Sequence, residues 1–76
     1  MNIKINYCTA WNYESKAAGL AAVIKESFDI TPELVPGSGG VYEITVDGNH
    51  LFSRREAKRL PDNDEIIALI GNLSKS

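Results

Sequence analysis

The spacing of the apolar residues changes from two to three or four within the first 28 residues. Ile3, Ile5 and Tyr7 alternate with polar residues, which is typical of a strand with one buried face. The next apolar residues recur at helical spacing and predict one face of an amphipathic helix. They are Ala17, Leu20, Ala21, Ile24 and Phe28. If a second strand follows in the same sheet, the connection is a right-handed crossover and the two strands are parallel.

The limits of this first helix follow from its flanking polar residues. The side chain of Asn12 is predicted to cap the N-terminus, with Thr9 as an alternative cap one turn earlier. The helix is expected to end near residues 27–29.

A second strand is predicted over residues 30–35. It contains Pro32, which cannot donate a ladder hydrogen bond, so the strand is expected at an edge of the sheet. Residues 36–40, PGSGG, are too rich in glycine for regular structure and predict a loop.

A hairpin and a second helix complete the chain. Residues 41–46 and 49–53 predict two strands joined by a tight turn at Asp47-Gly48. Residues 54–59 form a charged connection. Asp62 is the expected N-cap of the last helix, with Glu65 at the capping-box position. The apolar residues expected to be buried on this helix are Ile66, Ile67, Leu69, Ile70 and Leu73.

The predicted order is therefore β-α-β-β-β-α in a single domain of residues 1–76. It makes an α/β two-layer sandwich with a four-stranded mixed sheet in the order 2-1-3-4, the third strand being antiparallel to the first. This arrangement matches the core of the thioredoxin fold. In that fold the turn between the first strand and the first helix carries the active site.

Charge and cysteine content exclude several classes of protein. The net charge of −2 and the pI near 5.2 do not favour binding to nucleic acid or to an anionic membrane. No apolar stretch is long enough to span a bilayer. A single cysteine cannot form an internal disulfide, and a free thiol fits a reducing cytoplasm. His50 has no cysteine or second histidine near it in sequence, so no metal site is expected.

Cys8 lies where the first strand is predicted to end and the first helix has not yet begun. A helix N-terminus presents unpaired N–H groups and a positive dipole end, which favour a thiolate and lower the pKa of a nearby thiol. Such a thiolate is a nucleophile. The alternative is that Cys8 is a small apolar core residue, since free cysteine is among the most buried residue types.

Four segments together resemble one known family: YCTA at residues 7–10, GVYEITVDG at 40–48, LFSRR at 51–55 and RLP at 59–61. In order and spacing they are similar to the selenoprotein W-like group of the SelT/SelW/SelH family, also called the Rdx family. The resemblance implies a small thioredoxin-like redox protein with no bound cofactor. Its implied co-reactants are glutathione, a thioredoxin-type reductant or partner proteins.

By this resemblance Cys8 matches the first position of a Cys-x-x-Sec or Cys-x-x-Cys motif, and Trp11 stands at the second. A Cys-x-x-Trp site can attack a disulfide but cannot resolve the mixed disulfide from within. Selenocysteine is encoded by UGA and tryptophan by UGG, one base apart. We therefore expect position 11 to be selenocysteine in the native protein. The alternatives are a genuine tryptophan in a diverged member of the family and a core tryptophan at a helix start.

Two functions follow. The first is redox catalysis by Cys8 and a chalcogen at position 11. The second is a binding module that docks on a partner through Trp11, Tyr13 and residues 36–40, which include Gly39 and Gly40. The cationic cluster after the hairpin is expected either to hold carboxylates of glutathione or of an acidic partner, or to be a solvated connection. It consists of Arg54, Arg55, Lys58 and Arg59.

Overall fold

The computed structural model describes residues 1–74 and contains a four-stranded sheet with helices packed against it. In chain order the elements are β1 Ile3–Cys8, α1 Glu14–Phe28, β2 Glu33–Gly37, β3 Tyr42–Val46, β4 Asn49–Ser53, the single turn α2 Arg54–Ala57, and α3 Asn63–Ser74.

The sheet has the predicted strand order, β2-β1-β3-β4. β1 pairs in parallel with β2 and antiparallel with β3, and β3 pairs antiparallel with β4. The parallel pair follows from the α1 crossover, and the antiparallel pair on the other side follows from the hairpin. The sequence-based prediction of the fold is confirmed.

One hydrophobic core joins the alternating residues of the two central strands to the helices. The buried side chains of β1 and β3 face those of α1 and α3, which makes a two-layer sandwich. The core residues are Ile3, Ile5, Tyr7, Ala17, Leu20, Ile24, Tyr42, Ile44, Val46, Ile66 and Ile70. Within residues 1–74, no helix is both long enough and apolar enough to cross a membrane.

The predicted cap of α1 is wrong. The helix begins at Glu14, Tyr13 occupies the N-cap position, and its side chain makes no capping hydrogen bond. Asn12 instead adopts a left-handed backbone with φ of 59°, a conformation that asparagine tolerates better than most residues. Residues 9–13 are therefore used to turn the chain before the helix starts. At the other end, α1 stops at Phe28 as expected, with Asp29 in the left-handed region.

The second strand is displaced towards the C-terminus relative to the prediction. β2 covers Glu33–Gly37, so Pro36 and Gly37 belong to the strand, and Pro32 lies just before it. β2 is at the edge of the sheet, as expected, where the missing N–H of a proline costs no internal ladder bond. The glycine-rich loop is correspondingly shorter than residues 36–40.

The hairpin is confirmed, with one irregularity. Asp47 and Gly48 have φ of 52° and 85°, as a tight turn of this kind requires. Ile44 pairs with Phe52 and Thr45 with His50, so Leu51 is an extra residue in β4. This bulge bends the end of β4.

The segment after the hairpin is more ordered than predicted. Residues 54–57 form the helical turn α2, and Lys58 follows with φ of 61°. The capping-box role of Glu65 is wrong, because both of its carboxylate oxygens accept hydrogen bonds from Arg59, at 2.6 and 2.9 Å. Leu73 is 44% exposed and does not belong to the buried stripe.

Candidate functional site

Cys8 is the last residue of β1 and has no exposed surface. Its own N–H donates to the Val41 carbonyl oxygen at 2.8 Å, which ties the end of β1 to the start of β3. The thiol thus lies one residue before the turn of residues 9–13, and that turn separates it from α1.

Hydrogen bonding from backbone N–H groups of the turn and of the loop before β3 acts on the pKa of the Cys8 thiol. Burial raises the pKa of the thiol, but these hydrogen bonds lower it further, so the pKa lies below its ordinary value. The donors are Gly40, Trp11, Ala10 and Val41. The direction of the shift agrees with the sequence-based expectation. Its cause is hydrogen bonding from backbone amides of the turn and of the loop before β3.

Gly40 is the residue around which this site is built. It is buried and has φ of 76°, so a side chain there would be strained. A Cβ would lie 2.8 Å from the Cζ3 atom of Trp11, because the indole ring packs directly over the glycine. The absent side chain therefore lets the Trp11 ring close over the loop that donates to Cys8.

Trp11 combines an exposed face with specific contacts. It is 53% exposed, which excludes the interpretation as a core tryptophan. Its ring makes an edge contact with Tyr13, with centroids 6.0 Å apart. The Arg54 guanidinium lies 5.1 Å from the Trp11 ring centroid and 5.9 Å from that of Tyr13, and its Nη1 donates to the Gly40 carbonyl oxygen at 3.3 Å. Arg54 thereby fastens the turn to the loop.

A pocket of about 310 Å³ opens beside Gly40 and is lined by residues of its loop, β3 and the α2 segment. Four of the residues predicted to contact substrate or partner line it together, namely Gly39, Gly40, Arg54 and Arg55. Lys58 also lines the pocket. Arg59, the fourth member of the cationic cluster, does not, because it is paired with Glu65 and lies over Phe52.

Two further residues of this region were not identified from the sequence. Glu43 contributes the acidic side chain among the residues that line the pocket. Its Oε1 accepts a hydrogen bond from the Ser53 hydroxyl at 3.4 Å. Val41 supplies one of the N–H groups on the Cys8 sulfur. The alternation of β3 could have predicted an exposed position for Glu43, since it places this side chain on the face of the sheet opposite Tyr42 and Ile44. No sequence pattern identifies a backbone donor such as Val41.

His50 lies on the exposed end of the hairpin, where its Nε2 is 3.9 Å from Glu43 Oε2. Among residues 1–74, no three histidine, cysteine, aspartate or glutamate side chains cluster as metal ligands would.

Comparison with known proteins gives the following similarities. The model of the Rdx family matches residues 2–72. The fold is similar to that of a selenoprotein W-related protein from Vibrio cholerae, with a TM-score of 0.88 and 24% identity over 95% of this chain and 94% of that one. A protein from Bordetella parapertussis is similar with a TM-score of 0.88 and 30% identity over 93% and 94% of the two chains. A comparison with curated proteins found no match.

Proposed function

The chain belongs to the Rdx family of selenoprotein W-related proteins, which implies a thioredoxin-like, redox-type protein, and we propose that Cys8 is its reactive thiol. We place its substrates among disulfides and its reductants among glutathione and thioredoxin-type proteins. A reducing compartment such as the cytoplasm is where a single thiol of this kind stays available.

The observation that carries this proposal is the position of Cys8 at the end of β1, where hydrogen bonding from backbone amides of the turn and of the loop before β3 lowers the pKa of its thiol. A cysteine that only fills the core needs no donors, because a thiol is a weak acceptor. Donors directed at sulfur instead stabilise a thiolate, which is the nucleophilic form. The turn and the loop before β3 supply two donors each, so neither element forms the site alone.

The proposed reaction reduces a mixed disulfide between a protein and glutathione. The Cys8 thiolate attacks the glutathione sulfur, a new disulfide bond forms to Cys8, and the protein thiolate leaves and takes a proton from water. A glutathione thiolate then attacks the sulfur of the bound glutathione, which releases the Cys8 thiolate and glutathione disulfide. Overall, the mixed disulfide and one glutathione thiol are converted to a free protein thiol and glutathione disulfide, so the incoming glutathione is oxidised and the protein thiol is reduced.

Position 11 belongs to the same proposal. We place a selenocysteine there in the native protein, because the tryptophan codon UGG differs from UGA in one base and the family motif has selenocysteine or cysteine at this position. In the form with selenocysteine, the selenolate would take the place of the Cys8 thiolate as the attacking group, and Cys8 would then resolve the selenenylsulfide. The genomic codon for residue 11, with any recoding stem-loop beside it, decides between this and a genuine tryptophan.

The pH dependence of Cys8 alkylation tests the reactive thiol. We expect the rate of reaction with iodoacetamide to rise with pH around a midpoint below that of the same chain unfolded in urea, whose thiol has its ordinary pKa of about 8.5. Because the sulfur is covered, the absolute rate also contains a local opening step, but the midpoint reports the pKa. A folded midpoint at or above the unfolded one contradicts the proposal, and Cys8→Ser is the control for labelling elsewhere.

A binding module is the second candidate, and the exposure of the two motif residues favours it. Cys8 has no exposed surface, whereas Trp11 is 53% exposed beside Tyr13 and Arg54, as the centre of a protein interface would be. The two functions separate in one assay with glutathionylated protein as substrate. Turnover that is lost in Cys8→Ser supports redox catalysis. Stable complex formation with partner proteins that survives in Cys8→Ser supports the binding module.

A further inference from the structure

Arg54 contacts both of the segments that adjoin Cys8. Its Nη1 donates to the Gly40 carbonyl oxygen at 3.3 Å, and its guanidinium lies 5.1 Å from the centre of the Trp11 ring. Gly40 belongs to the loop before β3 and Trp11 to the turn after β1, and backbone N–H groups of both segments lower the pKa of the Cys8 thiol. The contacts of Arg54 therefore converge on the backbone beside the thiol.

The loop before β3 has little conformational preference of its own. Gly39 and Gly40 have left-handed backbones, with φ of 73° and 76°, and glycine adopts many other conformations as readily. Arg54, by contrast, directly follows β4, whose last residue, Ser53, is buried and pairs with Glu43 of β3. The hydrogen bond from the guanidinium thus ties a loop that glycine leaves loosely defined to a residue that the sheet holds in place.

This hydrogen bond also orients a neighbouring N–H group. The Gly40 carbonyl and the Val41 N–H belong to one planar peptide unit, so the direction of one determines the direction of the other. The Val41 N–H is among the groups that lower the pKa of Cys8, and the Val41 carbonyl oxygen accepts from the Cys8 N–H at 2.8 Å. A cation on the Gly40 carbonyl oxygen polarises the peptide unit and strengthens the hydrogen bond that its N–H makes.

We infer that Arg54 is a positioning residue for Cys8, which orients the peptide unit between Gly40 and Val41 beside the thiol. The inference rests on the proposed function, because it concerns the same reactive thiol. Arg54 is half-buried, so its hydrogen bond to the loop is partly shielded from water. Without the guanidinium, the peptide unit is free to rotate, and the thiolate loses part of its stabilisation.

The charge of Arg54 acts through the loop and not directly on the sulfur. Burial and backbone hydrogen bonds are the causes of the shift in the Cys8 pKa, and no charged side chain of residues 1–74 is among them. Tyr13 lies against the Arg54 guanidinium, with its ring centroid at 5.9 Å. The charged groups that line the space beside Gly40 are Arg54, Arg55, Lys58 and Glu43.

The unaltered chain tests the link between the loop and the thiol. The Cys8 thiolate is followed by its ultraviolet absorbance, with Cys8→Ser as the blank, and backbone amide chemical shifts are recorded by NMR over the same pH range. We expect the Val41 amide to shift with the same midpoint as the absorbance and to lose this response in Cys8→Ser. A Val41 amide that does not respond to ionisation of Cys8 would overturn the inference without any change at Arg54.

Two matched variants test the role of the guanidinium. Arg54→Met keeps the aliphatic part of the side chain, and Arg55→Met removes the same charge from an exposed neighbour that lines the same pocket. We expect Arg54→Met to move the thiolate midpoint to higher pH and to reduce the response of the Val41 amide. The thiolate population below the midpoint should fall by roughly 2- to 10-fold, as the weakening of one hydrogen bond implies. Arg55→Met is expected to change neither quantity.

The contrary outcomes are distinct from one another. Equal shifts of the thiolate midpoint in both variants would show that net charge acts through space, and the positioning role would be wrong. A lower denaturant midpoint for Arg54→Met with an unchanged thiolate titration would show a purely structural role and contradict the inference. If the unaltered chain titrates at or above the midpoint of the unfolded chain, the proposed function fails. If it titrates below that midpoint and Arg54→Met does the same to an equal extent, only the role of Arg54 fails.

Discussion

At the scale of single residues, two side chains of the same motif have opposite environments. Cys8 is enclosed and held by backbone donors, whereas Trp11 lies over Gly40 with one face in solvent. The backbone N–H of Trp11 is nevertheless among the groups that lower the pKa of Cys8, so the backbone of position 11 lies close to the thiol. A side chain with sulfur or selenium at position 11 therefore starts next to Cys8.

Two substitutions of Trp11 test this arrangement. Trp11→Ala is expected to lower the free energy of unfolding by about 1 kcal/mol, nearer to a surface change than to the 3–5 kcal/mol of a buried aromatic, since only the ring contacts with Gly40, Tyr13 and Arg54 are lost. Denaturant midpoints measure this. Trp11→Cys is expected to form a disulfide with Cys8 under mild oxidant and to gain glutathione-dependent reducing activity.

The control for the second substitution is Trp11→Cys combined with Cys8→Ser, which retains one thiol and should show neither property. Two thiols in Trp11→Cys that never pair, together with a stability loss above about 3 kcal/mol in Trp11→Ala, would identify Trp11 as a structural residue.

At the scale of elements, the site depends on the meeting of two loops. The turn between β1 and α1 brings Trp11, and the loop between β2 and β3 brings Gly40, whose missing side chain gives the ring its place. Arg54 at the start of α2 fastens both, through its hydrogen bond to Gly40 and its position over Trp11. No single loop carries the arrangement.

Gly40→Ala is expected to destabilise the fold through two separable effects. The left-handed backbone costs about 1–2 kcal/mol with a Cβ, and the new methyl group also collides with the Trp11 ring. In a Trp11→Ala background the collision is absent, so the cost of Gly40→Ala should be smaller by about 0.5–1 kcal/mol. Denaturant unfolding of the four proteins in this cycle measures the difference, and the same cost in both backgrounds would show that the ring does not pack on Gly40.

At the scale of the whole molecule, one buried hydroxyl couples the core to pH. Tyr42 is 1% exposed, and burial raises its pKa to about 12. Its hydroxyl donates to the Lys16 carbonyl oxygen of α1 at 3.5 Å, and its ring meets Tyr13 edge-on at 5.9 Å. The folded protein keeps this proton at a pH where the unfolded chain releases it.

Stability is therefore expected to fall at alkaline pH. Below about pH 10 Tyr42 is protonated in both states and contributes no pH dependence. Between pH 10 and 12 the unfolded chain releases the proton first, and the free energy of unfolding should fall by roughly 2 kcal/mol. The difference between the unaltered chain and Tyr42→Phe in denaturant unfolding at pH 8 to 12 isolates this effect. A pH-independent difference would contradict it.

The sequence by itself determined the fold, because each element is specified locally. Three local patterns specify the elements: the alternation at Ile3, Ile5 and Tyr7, the helical spacing up to Phe28, and the Asp47-Gly48 turn. The crossover rule then requires β1 and β2 to be parallel. The family resemblance of residues 7–10, 40–48, 51–55 and 59–61 agrees with the match of the Rdx model over residues 2–72.

Only the tertiary structure decided how the site is assembled. Chain spacing suggested that the helix N-terminus lowers the Cys8 pKa, but residues 9–13 turn before α1 begins, and two of the four donors come from a loop more than 30 residues away. Arg59 also pairs with Glu65, which removes one cation from the predicted cluster. The sequence had assigned Arg59 to that cluster and Glu65 to a capping box. Backbone donors and distant partners leave no periodic signal in a sequence, because their positions depend on how separate elements pack.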